Sequence, residues 1–434
     1  LSTKKTRQYI FGAWLICILG AVFYSYEYFL RISPSVMEGA LRNHFDLSAT
    51  GFGLLSAFYY YAYVPMQLPV GVLMDRFGPR RLLTLACFIC VVGTFMFANT
   101  LIFGIAAAGR FLVGLGSAFA FVGVLKLATL WLPEDKLGFV AGLATALGTI
   151  GAMVGDNLLG GMVEWMGWQK TVYFTAVFGV GLVIVLWFGI KDHQRHREQS
   201  GTIDSFKKNM VDLGIIVRSK QMWINGMYGC LVYLPTTVFA ELWGIPYLRS
   251  AHGLTQSNAN LCNSVLFLGF TIGAPLMGFI SDKIRQRKLP MRIGACGAFI
   301  MMFIILYVPD LSLLNLSLLM FFLGLFYSVQ SLVFAVGREL SPNEAAGTAI
   351  AMTNMIVMIG AMFLQPLVGR IMDWSLRRRE SLGIIPGDGL SVDRIQQLYT
   401  ASDYQLALSL IPLGILIAII LTFFLRETHV HVSK

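Results

Sequence analysis

The chain has 434 residues, 56% hydrophobic and only 13% charged, against about 25% charged in a soluble domain. Side chains this apolar cannot be hidden from water, which excludes an ordinary soluble protein. The net charge of +10 is not a nucleic-acid footprint either, because most of the Lys and Arg fall in alternate loops, on the side of both termini. That bias marks the cytoplasmic face of a multi-pass membrane protein.

Twelve apolar runs follow one another, at roughly 12–41, 50–77, 81–99, 101–130, 137–163, 170–190, 221–247, 257–283, 290–308, 311–338, 344–372 and 401–425. Each is near the ~20 residues a bilayer core requires. The polar start, Leu1 to Arg7, leads into the first run without a small-residue cleavage site, so no cleavable signal peptide is expected. In that run Glu27 and Arg31 are four apart and share a helix face, with Tyr24 and Tyr28 beside them. Pro34 is expected to kink it. The second run carries Tyr59, Tyr60, Tyr61 and Tyr63, of which one or two are expected at a cavity. It closes on Gly71-Val72-Leu73-Met74-Asp75-Arg76-Phe77-Gly78-Pro79-Arg80-Arg81. The third run holds Cys87 and Cys90 with no His nearby, so both are read as small packing residues and no metal site is expected.

The fourth run contains Arg110 and Lys126; the fifth contains Asp156 and Asn157 among spaced glycines. Lys191 to Lys220 is a long polar stretch. Ile203, Phe206, Met210, Leu213, Ile216 and Val217 give it the spacing of an amphipathic helix on the membrane surface. It divides the chain into an N-terminal six-helix bundle (1–190), a linker (191–220) and a C-terminal six-helix bundle (221–434). The seventh run has Glu241 and Trp243, the tenth Gln330, and the eleventh Asn354 and Gln365. The eighth closes on Gly278-Phe279-Ile280-Ser281-Asp282-Lys283-Ile284-Arg285-Gln286-Arg287-Lys288, a second copy of the charged hinge that closes run two. Two copies of one hinge, half a chain apart, predict two homologous bundles, the build of many secondary transporters.

An ionisable group at bilayer depth costs roughly 2.5–3.5 kcal/mol even on a lenient scale, so it faces a partner or a wet cavity. Glu27, Arg31, Arg110, Lys126, Asp156 and Glu241 are such groups. Glu27 and Arg31 read either as an internal ion pair or as a substrate or coupling-ion site. Arg110 is structural or part of proton coupling, and Lys126 snorkels or attracts an anion. Asp156 reads as a structural or interdomain contact. Glu241 binds an amine, carries a proton or gates the mouth. Every His lies in a loop or tail, so a transported proton would need a carboxylate, with Glu27 and Glu241 the candidates. No nucleophile–base pair and no phosphate-cradling loop is present, so neither an enzyme nor a cofactor is expected.

The Gly71–Arg81 hinge resembles the Gly-x-x-x-Asp-Arg-x-Gly-x-Arg-Arg signature of the major facilitator superfamily. Arg110-Phe111-Leu112-Val113-Gly114-Leu115-Gly116 resembles that family's fourth-helix motif. The resemblance implies an all-α polytopic membrane protein with twelve transmembrane helices in two pseudo-symmetric six-helix bundles, working by alternating access. Runs 1, 4, 7 and 10 would line the cavity. Tyr26-Glu27-Tyr28-Phe29-Leu30-Arg31, Lys126 before Trp131-Leu132-Pro133, and Glu241-Leu242-Trp243 look like bacterial nutrient-uptake members, closest to the phagosomal transporter group for amino acids or nucleosides.

The expected function is proton-coupled uptake of a small zwitterion, an amino acid or short peptide, by a monomer in a bacterial inner membrane with both termini cytoplasmic. Tyr24, Glu27, Tyr28, Arg31, Arg110, Lys126, Glu241, Trp243 and Gln330 are the candidate substrate contacts. Glu27 and Glu241 are also the proton carriers. Gly71, Asp75, Arg76, Gly78, Arg80, Arg81 and Asp282 form a conformational latch. Uptake of nucleosides or organic anions, efflux of drugs or siderophores, and a transporter-like receptor are the alternatives.

Overall fold

The computed structural model describes residues 3–132, 137–191, 214, 216–342, 345–385 and 392–428. The amphipathic helix expected between 191 and 220 lies almost wholly outside the described residues, as does the Asp75 side chain. Among the described residues every regular element is helical.

Ten segments are long and apolar enough to cross a membrane. The first half consists of α1 (Thr3–Val36), the short α2 (Glu38–Phe45), α3 (Ala49–Phe77), α4 (Pro79–Ala98), α5 (Phe103–Trp131), α6 (Leu137–Met166) and α7 (Trp168–Gly189). The second consists of α8 (Lys220–Val232), a π-helical segment (Pro235–Trp243), α9 (Gly244–His252), α10 (Gln256–Ile284) and α11 (Lys288–Tyr307). There follow α12 (Leu313–Tyr327), a 3-10 turn (Ser328–Ser331), α13 (Leu332–Glu339), α14 (Ala346–Ser381), the short α15 (Val392–Leu398), α16 (Ala401–Leu408) and α17 (Leu410–Phe424). The α8–π–α9 string makes one crossing, as do α12 with α13 and α16 with α17. The result is six crossings per half.

Two expected runs differ in detail. The 12–41 run breaks at Met37, three residues beyond Pro34, and its tail becomes α2. Pro34 cannot donate to a helix ladder, and Met37 N bonds back to the Pro34 carbonyl at 3.2 Å instead. The 221–247 run contains the π-helical segment, in which Gly244 N–H reaches the Phe239 carbonyl.

The halves meet along two helix pairs, α3 with α14 and α6 with α10. Small residues set the first pair. A Cβ on Gly53 would sit 2.5 Å from the Gln365 carbonyl oxygen, and Gly369 lies against the Ala49 backbone. Backbones this close have no room for a methyl group, the role small residues play between membrane helices. At the far face, opposite the start of α1 and the end of α17, Asp373 of α14 caps α3. It accepts from Ala49 N at 3.1 Å, Thr50 N at 2.9 Å and Thr50 Oγ1 at 2.5 Å. The first amides of a helix lack partners of their own, and a carboxylate there also complements the helix dipole.

Gly71 and Gly278 have no neighbour within reach of an added Cβ, which provides a control. Overpacking a tight contact costs about 1–3 kcal/mol. Gly53→Ala and Gly369→Ala are therefore expected to lower the melting midpoint of the purified protein by several degrees. Gly71→Ala and Gly278→Ala should leave it within error. Equal melting of all four variants would show that the α3–α14 contact is not tight.

Candidate functional site

Midway through the molecule three helices bring together the charges of the first and seventh runs. Arg31 Nη2 lies 2.9 Å from Glu27 Oε1, one helical turn away on α1. Tyr59 of α3 closes the triangle: Arg31 Nε donates to its hydroxyl at 3.0 Å, and the hydroxyl donates to Glu27 Oε2 at 2.9 Å. From the other half, Glu241 Oε1 stands 3.7 Å from Arg31 Nη1, and Glu241 Oε2 accepts from Tyr60. All three charged side chains are buried. One guanidinium thus serves two carboxylates, one from each half, and the three formal charges sum to minus one.

The π-helical segment presents Glu241. A π turn widens the helix by one residue, and such turns recur at functional sites. The tyrosines follow from helix geometry. At 3.6 residues per turn, Tyr59, Tyr60 and Tyr63 fall within one wedge of α3 and face the cluster. Tyr61 points away, edge-on to Phe58.

Next to the cluster, on the side of the termini, lies a cavity of about 760 Å³. Tyr24, Tyr28, Tyr63, Tyr233, Gln330 and Asn354 are among its lining residues. Tyr28 and Tyr63 separate it from Arg31: the guanidinium carbon is 4.5 Å from the Tyr28 ring centre and 5.0 Å from that of Tyr63. The Tyr28 and Tyr233 hydroxyls meet at 3.1 Å and bridge the two halves. Gln330 reaches the cavity from the 3-10 turn between α12 and α13.

The remaining candidates are distributed as follows. Arg110 reaches α1 and not the cavity. Its Nη1 donates to the Leu30 carbonyl at 2.8 Å and its Nη2 to that of Arg31 at 3.3 Å. Leu30 is four residues before Pro34, so its carbonyl is the one that the proline leaves without a helical donor. Lys126 is half-buried one residue beyond Leu125, which lines the cavity, but does not line it itself. Trp243 sits in the seam, donating to the Gln365 carbonyl at 3.1 Å and packing edge-on against Phe52.

The hinge residues gather at the face of the termini, within each half. Gly78 joins α3 to α4 at φ 83°. Arg80 donates to the Trp187 carbonyl of α7 at 3.0 Å and covers its ring. Arg76 and Arg81 are exposed. Asp282 pairs with Arg287 at 2.6 Å, and Arg287 also holds Glu339 at 2.7 Å.

A family model described as Major Facilitator Superfamily matches residues 14–382. The chain belongs to that superfamily. It is a transporter and not an enzyme. It is 24% identical over 376 residues to the probable sulfoacetate transporter SauU of Cupriavidus necator, covering 81% of this chain and 84% of that one. It is likewise 24% identical over 394 residues to the probable galactarate/D-glucarate transporter GudP of Escherichia coli, at 82% and 86% coverage. In fold it is similar to a bacterial homolog of the human lysosomal transporter Spinster, solved in an inward-facing, unoccupied conformation. The TM-score is 0.75 at 17% identity, with 95% of this chain and 96% of that one covered. Neither sequence relative is of the phagosomal transporter type, so the superfamily stands and that finer resemblance is left without support.

For this transporter, sequence reasoning missed Tyr59, Tyr60, Tyr63, Tyr233 and Asn354 as parts of one site. The i, i+1, i+4 spacing of the first three was the available signal.

Arg110 and Pro34 provide a test of the α1 clamp. Arg110→Met should destabilise the purified protein, because the buried Leu30 carbonyl then keeps only the Ser33 hydroxyl at 2.9 Å, a loss of about 0.5–1.5 kcal/mol. Pro34→Ala restores the helical donor and should recover part of that loss in the double variant. Strictly additive melting shifts across the mutant cycle would rule out this relationship.

Proposed function

We propose that this protein is a proton-linked uptake carrier for a small organic anion, a carboxylate or sulfonate, with Arg31 as the anion-binding group. The observation that carries this reading is the single guanidinium shared by Glu27 and Glu241 between the two halves. An anion reaching Arg31 competes with the carboxylates already there. A proton taken up by Glu241 or Glu27 removes one of those competitors, so anion and proton bind better together than apart. Arg31 holds Glu241 more loosely than Glu27, which makes Glu241 the first to let go. Tyr24, Tyr28 and Gln330 line the approach to Arg31, and Tyr28 and Tyr63 are the rings an anion must displace.

Relatives named for sulfoacetate and for galactarate and D-glucarate support an organic acid. A zwitterion bridging Arg31 and Glu241 has less support, because those two groups already pair with each other and offer no separated poles. In this reading the bundles 1–190 and 221–434 rock about the cluster, joined by the 191–220 linker. The hinge residues Gly71, Asp75, Arg76, Gly78, Arg80, Arg81 and Asp282 act as the latch at the linker face. The Lys and Arg bias supports termini on the cytoplasmic side, and a bacterial inner membrane fits the bacterial relatives.

The test is uptake of labelled sulfoacetate, D-glucarate, a nucleoside and an amino acid into proteoliposomes, with and without an inward proton gradient. Gradient-stimulated uptake of an acid is expected. Arg31→Lys should lower it by more than about tenfold, since lysine cannot reproduce a guanidinium fork. Glu241→Gln should abolish gradient-driven accumulation while leaving exchange of substrate for substrate. Flux of the amino acid alone, or acid uptake indifferent to the gradient and to Arg31→Lys, would overturn the reading.

A further inference from the structure

Asp156 lies outside the cluster, on α6 at the seam with α10, and is wholly buried. Its Oδ2 accepts from Asn263 Nδ2 at 2.6 Å. The same nitrogen donates to the Ala240 carbonyl at 2.9 Å. Both amide hydrogens of Asn263 are thereby used, which fixes the orientation of its carboxamide. Two oxygens are left over, Asp156 Oδ1 and Asn263 Oδ1, and both are buried without a hydrogen-bond partner. Two acceptors and no donor is an arrangement that buried polar groups avoid.

The surrounding charges deepen the problem. Among the described residues no Lys, Arg or His forms an ion pair with Asp156. The carbonyl that Asn263 holds is that of Ala240, the residue before Glu241, and Glu241 carries the same sign of charge as Asp156. From α10 the neighbouring polar side chains are the uncharged Asn263 and Ser264. From α1, Phe29 and Ile32 pack against adjacent Gly155. An ionised carboxylate here would be buried at bilayer depth with no ion-pair partner among the described residues.

We propose that Asp156 is a proton-binding site and that its acid form clasps the two halves together. The carboxylic acid O–H donates to Asn263 Oδ1 while Asn263 Nδ2 donates back, so one proton satisfies both orphaned oxygens. Loss of that proton to water at the far face leaves facing acceptors and a bare charge, and the seam parts there. Asn263 also holds the carbonyl of Ala240, the residue before Glu241, so the clasp reaches the backbone that presents the central carboxylate. This inference rests on the seam geometry and not on the identity of the transported anion.

The test needs no substrate. Hydrogen–deuterium exchange of the purified protein is followed over 149–166 and 256–271, from about pH 6 to about pH 9, with intrinsic exchange rates divided out. In the wild type, protection of both segments should fall by up to about tenfold per pH unit once the site titrates, the slope of one linked proton. Asp156→Asn can keep both bonds as an amide pair and should stay protected throughout. Asn263→Ala removes the acceptor and should show at low pH the weak protection that the wild type shows at high pH. Protection in the wild type that does not change with pH would overturn the proposal. So would the same pH dependence in Asp156→Asn, or a wild-type profile in Asn263→Ala.

Discussion

The structure depends on a guanidinium held between two carboxylates at a depth where water is scarce. Taking such charges out of water costs several kcal/mol per ion unless geometry and further hydrogen bonds offset it. Arg31 meets that demand with Glu27 on its own helix, Tyr59 from α3 and Glu241 from the other half. Completing this shell takes side chains from α1, from the tyrosine wedge of α3 and from the π-helical turn that presents Glu241. Arg110 adds to this, because together with the Ser33 hydroxyl it satisfies the carbonyl that Pro34 leaves open beside the cluster.

A carrier must also let its halves part, and the seam is built accordingly. Where α6 meets α10 the contacts are side-chain hydrogen bonds: Thr149 to Thr271 at 2.6 Å, Asn157 to Ser264 at 2.7 Å, and Asp156 to Asn263. Where α3 meets α14 they are glycine-backed approaches, the Asp373 cap and an Asn354 to Gln67 bond at 2.8 Å. A net hydrogen bond is worth only about 0.5–1.5 kcal/mol because water can replace it. A seam of such bonds can be exchanged for hydration, which is less true of interlocked side chains. The cavity on the side of the termini and the Asp373 cap at the far face agree with a state sealed at one end.

The hinge repeat was legible as a mark of two bundles because its charges interrupt apolar runs at equivalent places. Its contacts were not legible. Arg80 turns to Trp187 and Asp282 to Arg287, both within one half, and spacing alone cannot say which neighbour a long basic side chain finds. Pro34 was legible as a disturbance of the first helix, but not the groups that take up the Leu30 carbonyl it leaves open, the Ser33 hydroxyl and the remote Arg110.

Composition, run length and charge placement determined the membrane, the helical class and the crossings, because a bilayer imposes those requirements on every segment separately. The i, i+4 spacing of Glu27 and Arg31 likewise determined that the two would meet. Only the tertiary structure decided that Glu241 shares their guanidinium, that Arg110 belongs to the α1 backbone, and that Trp243 seals the seam. It also decided that Asp156 faces an amide rather than a cation. Each of these pairings joins residues from different helices, and the crossing angle and axial shift that bring them together arise from the packing of all the helices at once.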